Sequence, residues 1–294
     1  MGADAGDGGN ALLGPVVTWY AENARDLPWR RPGTSPWSVM VSEFMLQQTP
    51  VNRVLAVHDA WLTRWPTPAS LAAEPSGEAV RAWGRLGYPR RALRLHAAAV
   101  AITELYDGEV PDTYEALLTL PGVGDYTAAA IASFAYGRAH PVLDTNVRRV
   151  LGRTVGGTEF PPPSVTRAER DLAAALVPDQ DPEVWAVAVM ELGALVCTAS
   201  NPGCERCPVA DRCQWLALGR PPYAGPPRKV QTYAGTDRQC RGRLLAVLRD
   251  AEGAVGASRL DAVWADPVQR ERALAGLLAD GLVVRRGQLF ALPG

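Results

Sequence analysis

At 294 residues, with 47% hydrophobic and 21% charged side chains, the chain has the composition of a soluble globular protein with room for two modest domains. No apolar run is both long enough and free enough of charge to cross a bilayer, and no basic start precedes an apolar segment, so the sequence predicts a cytoplasmic protein with no membrane partner. A net charge of −1 excludes a globally basic nucleic-acid binder: any contact with a polyanion has to be local.

In chain order, residues 1–10, MGADAGDGGN, are Gly-rich, acidic and without periodicity, and read as a disordered tail. From Ala11 to about Ala199 apolar residues recur at three-to-four spacing, broken by Gly and Pro at 65–68, 87–89, 121–124 and 161–163. Period-two alternation is almost absent there, which predicts an α-helical array with no sheet. Within it, "SEFMLQQT" (Ser42 to Thr49) sets one carboxylate, Glu43, just before three bulky apolar residues and two glutamines, and Pro50 ends the run. "LPGVGDYTAAAIASFAYG" from Leu120 reads as a helix-hairpin-helix whose Gly122 and Gly124 clear side chains from a turn that opens a helix, where backbone N–H groups can face a phosphate. A plain Gly-rich turn between helices is the competing reading. "HPVLDTNVRRVLGR" puts Asp144 directly before another helix, with Asn146 beside it and Arg148 and Arg149 following. Taken alone, an aspartate there is more often a helix N-cap than a catalytic group.

Cys197, Cys204, Cys207 and Cys213 follow C-x6-C-x2-C-x5-C at the end of an apolar helix, and Cys240 stands apart as a spectator thiol. Without a secretion signal disulfides are disfavoured. One close pair flanked by single thiols suits a 4Fe-4S cluster better than zinc, which usually takes two close pairs. Residues 216–237 read as an extended Pro-rich linker that contains Lys229, the chain's only lysine. Beyond it, residues 238–294 predict three short helices, the last capped by Asp266 and Pro267 and ended by Gly281, then a hairpin around Arg286-Gly287. That is a winged-helix pattern, with a plain helical cap as its competitor. Residues 223–294 hold eleven basic against seven acidic side chains, so this end is electrostatically distinct from the rest.

Six stretches in order, "LPWR", "SEFMLQQT", "LGYPRRALRLHAAA", "LPGVGDYTAAAIASFAYG", "VLDTNVRRV" and "ELGALVC" with its cysteines, resemble the A/G-specific adenine DNA glycosylases, the MutY family, over residues 11–215. The resemblance implies the mainly α endonuclease III fold: two helical subdomains with a cluster loop at 197–213, and a flipped nucleotide between them. It implies an N-glycosylase that acts as a monomer on duplex DNA carrying adenine opposite 8-oxoguanine or guanine. It also assigns roles: Glu43 protonates the leaving adenine, Asp144 stabilises the sugar cation, and Tyr126 and Asn146 position these groups. Arg25, Leu27, Trp29 and Glu191 surround the flipped base, although from sequence alone Leu27 and Trp29 read as ordinary core. Gln48, Thr49 and Tyr88 occupy the duplex beside it, and Gly122 and Gly124 grip the backbone.

Two departures stand out. Bifunctional relatives cut the strand with a hairpin lysine, and here that position is Tyr126, with no lysine anywhere in residues 1–222, so the resemblance implies a monofunctional enzyme. Residues 238–294 are too short and too helical for the MutT-like lesion-checking domain that typically ends the family, and Arg285 and Arg286 are expected near a DNA backbone instead. A mismatch thymine glycosylase and a non-catalytic cluster-bearing redox sensor are the alternative functions.

Overall fold

The structure, a computed structural model, describes residues 8–225 and 233–294; Lys229, the middle of the predicted linker and residues 1–7 of the predicted tail lie outside the described residues. In chain order the helices are α1 (Gly8–Asn23), α2 (Pro36–Leu46), α3 (Val51–Arg64), α4 (Pro68–Ala72), α5 (Ser76–Trp83), α6 (Arg90–Leu105), α7 (Tyr114–Leu118), α8 (Asp125–Tyr136), α9 (Thr145–Thr154), α10 (Arg167–Ala175), α11 (Pro182–Leu195) and α12 (Gln214–Ala217). The C-terminal part holds α13 (Asp237–Asp250), β1 (Val255–Gly256), α14 (Ala257–Asp261), α15 (Pro267–Ala279), β2 (Val284–Arg286) and β3 (Leu289–Ala291). The chain divides into two discontinuous compact units. The first takes Met1–Thr34, Asp112–Leu118 and Gly124–Pro227, the second Ser35–Pro111, Thr119–Val123 and Arg228–Gly294.

The first unit is built around α11, whose run PEVWAVAVMELGAL is apolar on nearly every side, so the helix belongs at a centre. Leu12 and Val16 of α1, Val150 and Leu151 of α9, and Trp185, Val189 and Leu192 of α11 share one buried cluster. Each such side chain removed from water contributes roughly 1.5–3 kcal/mol before entropy is counted. The opposite face of α9 carries arginines, and the first turn of α10 is fixed by a capping box between Thr166 and Glu169.

In the second unit Trp61 meets Trp65 and Trp83 edge to face, with ring centroids 4.7 and 5.8 Å away. The C-terminal segment belongs to this unit and folds as the spacing predicts: Asp266 accepts hydrogen bonds from Val268 and Gln269 N–H, Pro267 opens α15, and Gly281 follows it at φ 69°. The hairpin pairs Val284 with Ala291 and Arg285 with Phe290, and β1 adds a third antiparallel strand in the order β1-β3-β2. At two residues, β1 is too short to leave a period-two signal. The segment is fastened to α5: Gly77 N–H donates to Pro293 O at 2.7 Å, where a Cβ on Gly77 would sit 2.1 Å from that oxygen, and the Arg81 guanidinium donates to the carbonyls of Arg249 and Ala251.

Candidate active site

Helix α2 starts cleanly because Ser35 caps it by accepting from Ser38 N–H and Pro36 supplies the preset φ of the first turn. It is buried from Trp37 to Met45, and Glu43 in its last turns is 4% exposed. After Leu46 the chain turns through Gln48 at φ 56°, a left-handed conformation that disfavours any residue with a Cβ. What holds the turn is Arg91, buried on α6. Its guanidinium donates to the carbonyls of Phe44, Met45 and Gln47 at the end of α2, to Thr49 Oγ1 at 2.9 Å and to Gly87 O at 3.1 Å. A cation on orphan helix carbonyls satisfies them and complements the helix dipole. Burial brings the Arg91 guanidinium down to about 10, still charged at neutral pH. Thr49 in turn donates to Leu86 O at 3.2 Å, and Tyr88, at φ 45° and 47% exposed, lies beside the Arg91 guanidinium with its ring centroid 5.5 Å away. Gln48, Thr49 and Tyr88 are thus brought together by a residue that sequence reasoning had quoted without a role.

Gly122 has to be glycine for two reasons internal to the protein: its φ is +81°, and a Cβ would stand 2.7 Å from Arg94 Cβ and 3.1 Å from the Phe44 ring. Gly124 is the N-cap of α8, offers no side-chain cap, and a Cβ there would meet nothing. The first N–H groups of α8 therefore have no capping side chain, an arrangement suited to an anion. Tyr126 on α8 is half-buried and packs against Ala129, Ala130, Val142 and Ala186.

In the first unit Asp144 is indeed the N-cap of α9, as its position suggests, but it is held by more than the helix. Oδ1 accepts from Val147 N–H at 2.6 Å and Oδ2 from the Asn146 amide at 2.7 Å. Burial pushes the Asp144 carboxyl above its ordinary value even against those hydrogen bonds and the positive charge of Arg149. The Asn146 amide oxygen accepts from Arg149 at 2.8 Å, and the same guanidinium donates to Gly193 O at 2.7 Å and Cys197 O at 2.7 Å. Gly193 itself brings α11 against α9: a Cβ there would lie 2.7 Å from Asn146 Cβ and 2.9 Å from Asn146 O. Arg149 and Gly193 are positioning residues that sequence reasoning left without a role, since both act across more than forty residues of chain.

Arg25 and Glu191 come together. The fully buried Glu191 carboxylate accepts from Arg25 Nε at 2.6 Å and Nη2 at 2.7 Å, from Arg25 N–H at 3.1 Å, and from Arg30 Nη1 at 2.9 Å. Burial alone would raise its carboxyl; the guanidiniums outweigh burial and hold it below the ordinary glutamate value. Arg30, the last residue of "LPWR", is the partner the sequence did not flag. Leu27 and Trp29 are buried at 4% and 6% exposure, the core positions they resemble in sequence. Glu43 falls in the second unit and Asp144 in the first.

Cys197, Cys204, Cys207 and Cys213 line one small hollow with Val150, Leu192 and Trp215. Among the described residues no three His, Cys, Asp or Glu side chains converge closely enough for a single metal ion. Four cysteine thiols around one hollow are the donor set that a 4Fe-4S cluster takes. Burial pushes the Cys207 thiol up to about 11 and raises Cys197, which has Arg153 Nη1 3.4 Å from its sulfur, so metal binding has to displace protons from these thiols. Arg153 is itself buried, donates to Thr198 O at 2.8 Å and lies over the Trp215 ring at 4.7 Å, bracing the loop. Cys240 is buried on α13 in the other unit, apart from the four.

Comparison with known proteins agrees with this geometry. Residues 41–175 match the family described as HhH-GPD superfamily base excision DNA repair protein, and residues 197–213 match the iron-sulfur binding domain of endonuclease III. The chain is similar in structure to a thermostable thymine-DNA glycosylase (TM-score 0.68, 26% identity, 74% of this chain and all of that one). It also resembles an endonuclease III trapped as a covalent intermediate on DNA (TM-score 0.61, 22% identity, 71% and 96%), a likeness of fold. Helical array, hairpin and four-thiol loop together define a helix-hairpin-helix glycosylase of base excision repair with an iron–sulfur binding domain over residues 197–213. The sequence is 54% identical to the adenine DNA glycosylase of Mycobacterium tuberculosis over 95% of this chain and 92% of that protein. The chain belongs to the adenine DNA glycosylase family.

Proposed function

We propose that the protein hydrolyses the N-glycosidic bond of adenine mispaired with guanine or 8-oxoguanine in duplex DNA, without cutting the strand. What carries this reading is Asp144, a half-buried carboxylate whose two oxygens each accept one hydrogen bond and whose pKa burial raises. A sugar that loses its base passes through an oxocarbenium-like state, and a fixed carboxylate beside it stabilises the developing positive charge. In this reading Glu43 delivers a proton to adenine as the C1′–N bond breaks, so that the base leaves neutral. Water then adds to C1′, its hydroxyl completing the abasic sugar and its proton restoring the carboxyl. Asn146, held by Arg149, fixes the Asp144 carboxylate, and Tyr126 lies at the hairpin position that family resemblance places beside it. The Glu191 carboxylate and its two arginines suit an adenine edge, which presents both acceptors and an amino donor. The iron–sulfur cluster, when bound, supplies the metal–thiolate bonds that tie the 197–213 loop to the end of α11.

Hydrolysis alone, without strand cleavage, is supported by the lysine count. The position of the lyase amine is Tyr126, and residues 1–222 contain no lysine. The test is single-turnover base release on duplexes carrying A:8-oxoguanine, A:G, A:C and T:G, each developed with and without hot alkali. Adenine release opposite 8-oxoguanine and G, with strand breaks only after alkali, is expected. Breaks without alkali would reject the monofunctional half of the proposal. Thymine release from T:G without adenine release would reject the substrate.

A further inference from the structure

We propose that the C-terminal segment and the α5–α6 turn together form a second binding site for the sugar-phosphate backbone of duplex DNA, with Arg238 and Arg243 of α13 each taking a phosphate. The proposal rests on the reading above only in naming DNA as the polyanion; the site itself is read from its charge.

The observation is a cleft of roughly 1080 Å³ within the second unit, bounded on one side by residues 84–94 and on the other by α13 and the end of α15. Nine of the described side chains around it are arginines and one, Asp280, is a carboxylate. In a chain of net charge −1 this is a concentrated positive field. The way these arginines are bonded matters more than their number. Asp280 pairs with Arg90 and Arg241. Arg53 and Arg249 instead donate to the carbonyls of Arg85 and Gly84, and Arg91 to the carbonyls that end α2. Backbone carbonyls satisfy guanidinium donors without cancelling their charge. Among the described residues no carboxylate lies within ion-pair distance of Arg94, Arg238 or Arg243. Burial lowers the Arg249 guanidinium pKa; the Asp250 carboxylate opposes that shift, and the charge of neighbouring Arg85 adds a smaller lowering.

Two exposed aromatics lie in the same cleft: Tyr88 at 47% and Tyr233 at 52% exposure, the latter with Arg238 over its ring at 5.6 Å. Guanidiniums interleaved with tyrosines form the usual lining of a nucleic-acid groove, where charge tracks the backbone and rings offer apolar contact. The fastening of the segment through Gly77, Arg81 and Arg249 keeps α13 at a set distance from residues 84–94, so the cleft exists before any ligand arrives. Of the two hairpin arginines expected near a DNA backbone, Arg285 and Arg286, Arg285 donates to Gly287 O at 3.0 Å and lies over Phe290, within its own turn. The site proposed lies on the helix face of the winged segment.

The test is the salt dependence of affinity for an undamaged duplex, measured on the full cluster-loaded protein and on the double variant Arg238→Ala/Arg243→Ala. Each phosphate contact contributes about 0.9 to the slope of log K against log salt, so the double variant is expected to lose about two in slope and to bind more weakly at low salt. Both side chains are exposed, and a matching melting temperature shows that the variant folds. The Arg238→Lys/Arg243→Lys variant is expected to restore most of the slope because a phosphate contact needs the charge, and Arg285→Ala is expected to leave it unchanged. An unchanged slope in the alanine variant, or a loss that lysine does not restore, overturns the proposal. Adenine release from an A:G duplex at saturating enzyme is expected to be equal in all variants. Its absence even in the unaltered protein would count against the proposed reaction and leave the binding result standing.

Discussion

In the first unit the Asp144 carboxylate has each oxygen in a hydrogen bond, its partner Asn146 is held by Arg149, and Arg149 is held by Gly193 and Cys197 carbonyls. In the second unit Arg53, Arg91 and Arg249 beside the cleft are hydrogen-bonded to backbone carbonyls, which leave their charge uncancelled, and the single lining carboxylate, Asp280, is shared between Arg90 and Arg241. One region is closed on itself through this chain of hydrogen bonds, the kind of fixed geometry that the proposed chemistry, which tolerates errors of only a fraction of an ångström, requires. The other is open, preset in shape but dependent on an outside anion, which is enough for binding a backbone. Damage to the first should therefore appear in rate, and damage to the second in affinity and its salt dependence.

The largest expected effect is Asp144→Asn. Asparagine is also a good N-cap, so Val147 N–H keeps an acceptor and the fold is expected to survive within about 1 kcal/mol. Removing the negative charge is expected to lower single-turnover adenine release on the order of 10³-fold with DNA affinity unchanged. A matching fall in affinity would break the division between the regions. Next is Arg91→Ala, which strips donors from three carbonyls at the end of α2 and from Thr49. A loss of about 2–4 kcal/mol is expected as a lower denaturant midpoint at constant slope, together with weaker DNA binding. Stability equal to that of the unaltered protein would mean that the turn at Gln48 holds itself.

Gly193→Ala is smaller and more selective. Alanine is a better helix former than glycine by roughly 0.5–1 kcal/mol, so propensity alone predicts a stabler α11. Against that, its Cβ would stand 2.7 Å from Asn146 Cβ, and the overlap costs about 1–3 kcal/mol if α9 has to move. The expected result is a tenfold or greater fall in base release, from a displaced Asn146 and hence a displaced Asp144, at unchanged affinity. A variant that is both stabler and fully active would show that the approach of α11 to α9 does not set the carboxylate.

How much of this was legible in the sequence follows from how local each feature is. The four-thiol spacing, the Asp266, Pro267 and Gly281 signals around α15, and the hairpin were all readable because each is specified within a few residues. The N-cap role of Asp144 was readable for the same reason. Arg30, Arg91, Arg149 and Gly193 were not, because each earns its place through atoms far along the chain: Arg91 at carbonyls more than forty residues earlier, Arg149 at a carbonyl 48 residues later. All four stood inside stretches that resemblance had already singled out. The resemblance found the right segments while leaving unsaid which side chains in them act on other side chains. β1 was missed for a different reason: two residues paired across a fold carry no periodicity.

The smallest effect separates the regions by titration. The Asp144 carboxyl is raised above the ordinary aspartate value near 3.8, so as pH falls it takes up its proton earlier than a free aspartate would, and base release that needs the carboxylate declines with it. Glu191 behaves in the opposite sense. Its pKa is held below the ordinary value near 4.5, so the stability from its ion pairs with Arg25 and Arg30 is fully present above that value and is lost only as pH falls through the lower folded one. In the cleft Arg91, brought down to about 10 by burial, still keeps its charge throughout this range. On acidification from neutrality the expected order is therefore a fall in single-turnover rate first, with DNA affinity and the helical circular dichroism signal holding, and unfolding later. If rate, affinity and helicity instead fall together, Asp144 is not the group that sets the acid limb, and the contrast between the carboxylate site and the arginine-lined cleft fails.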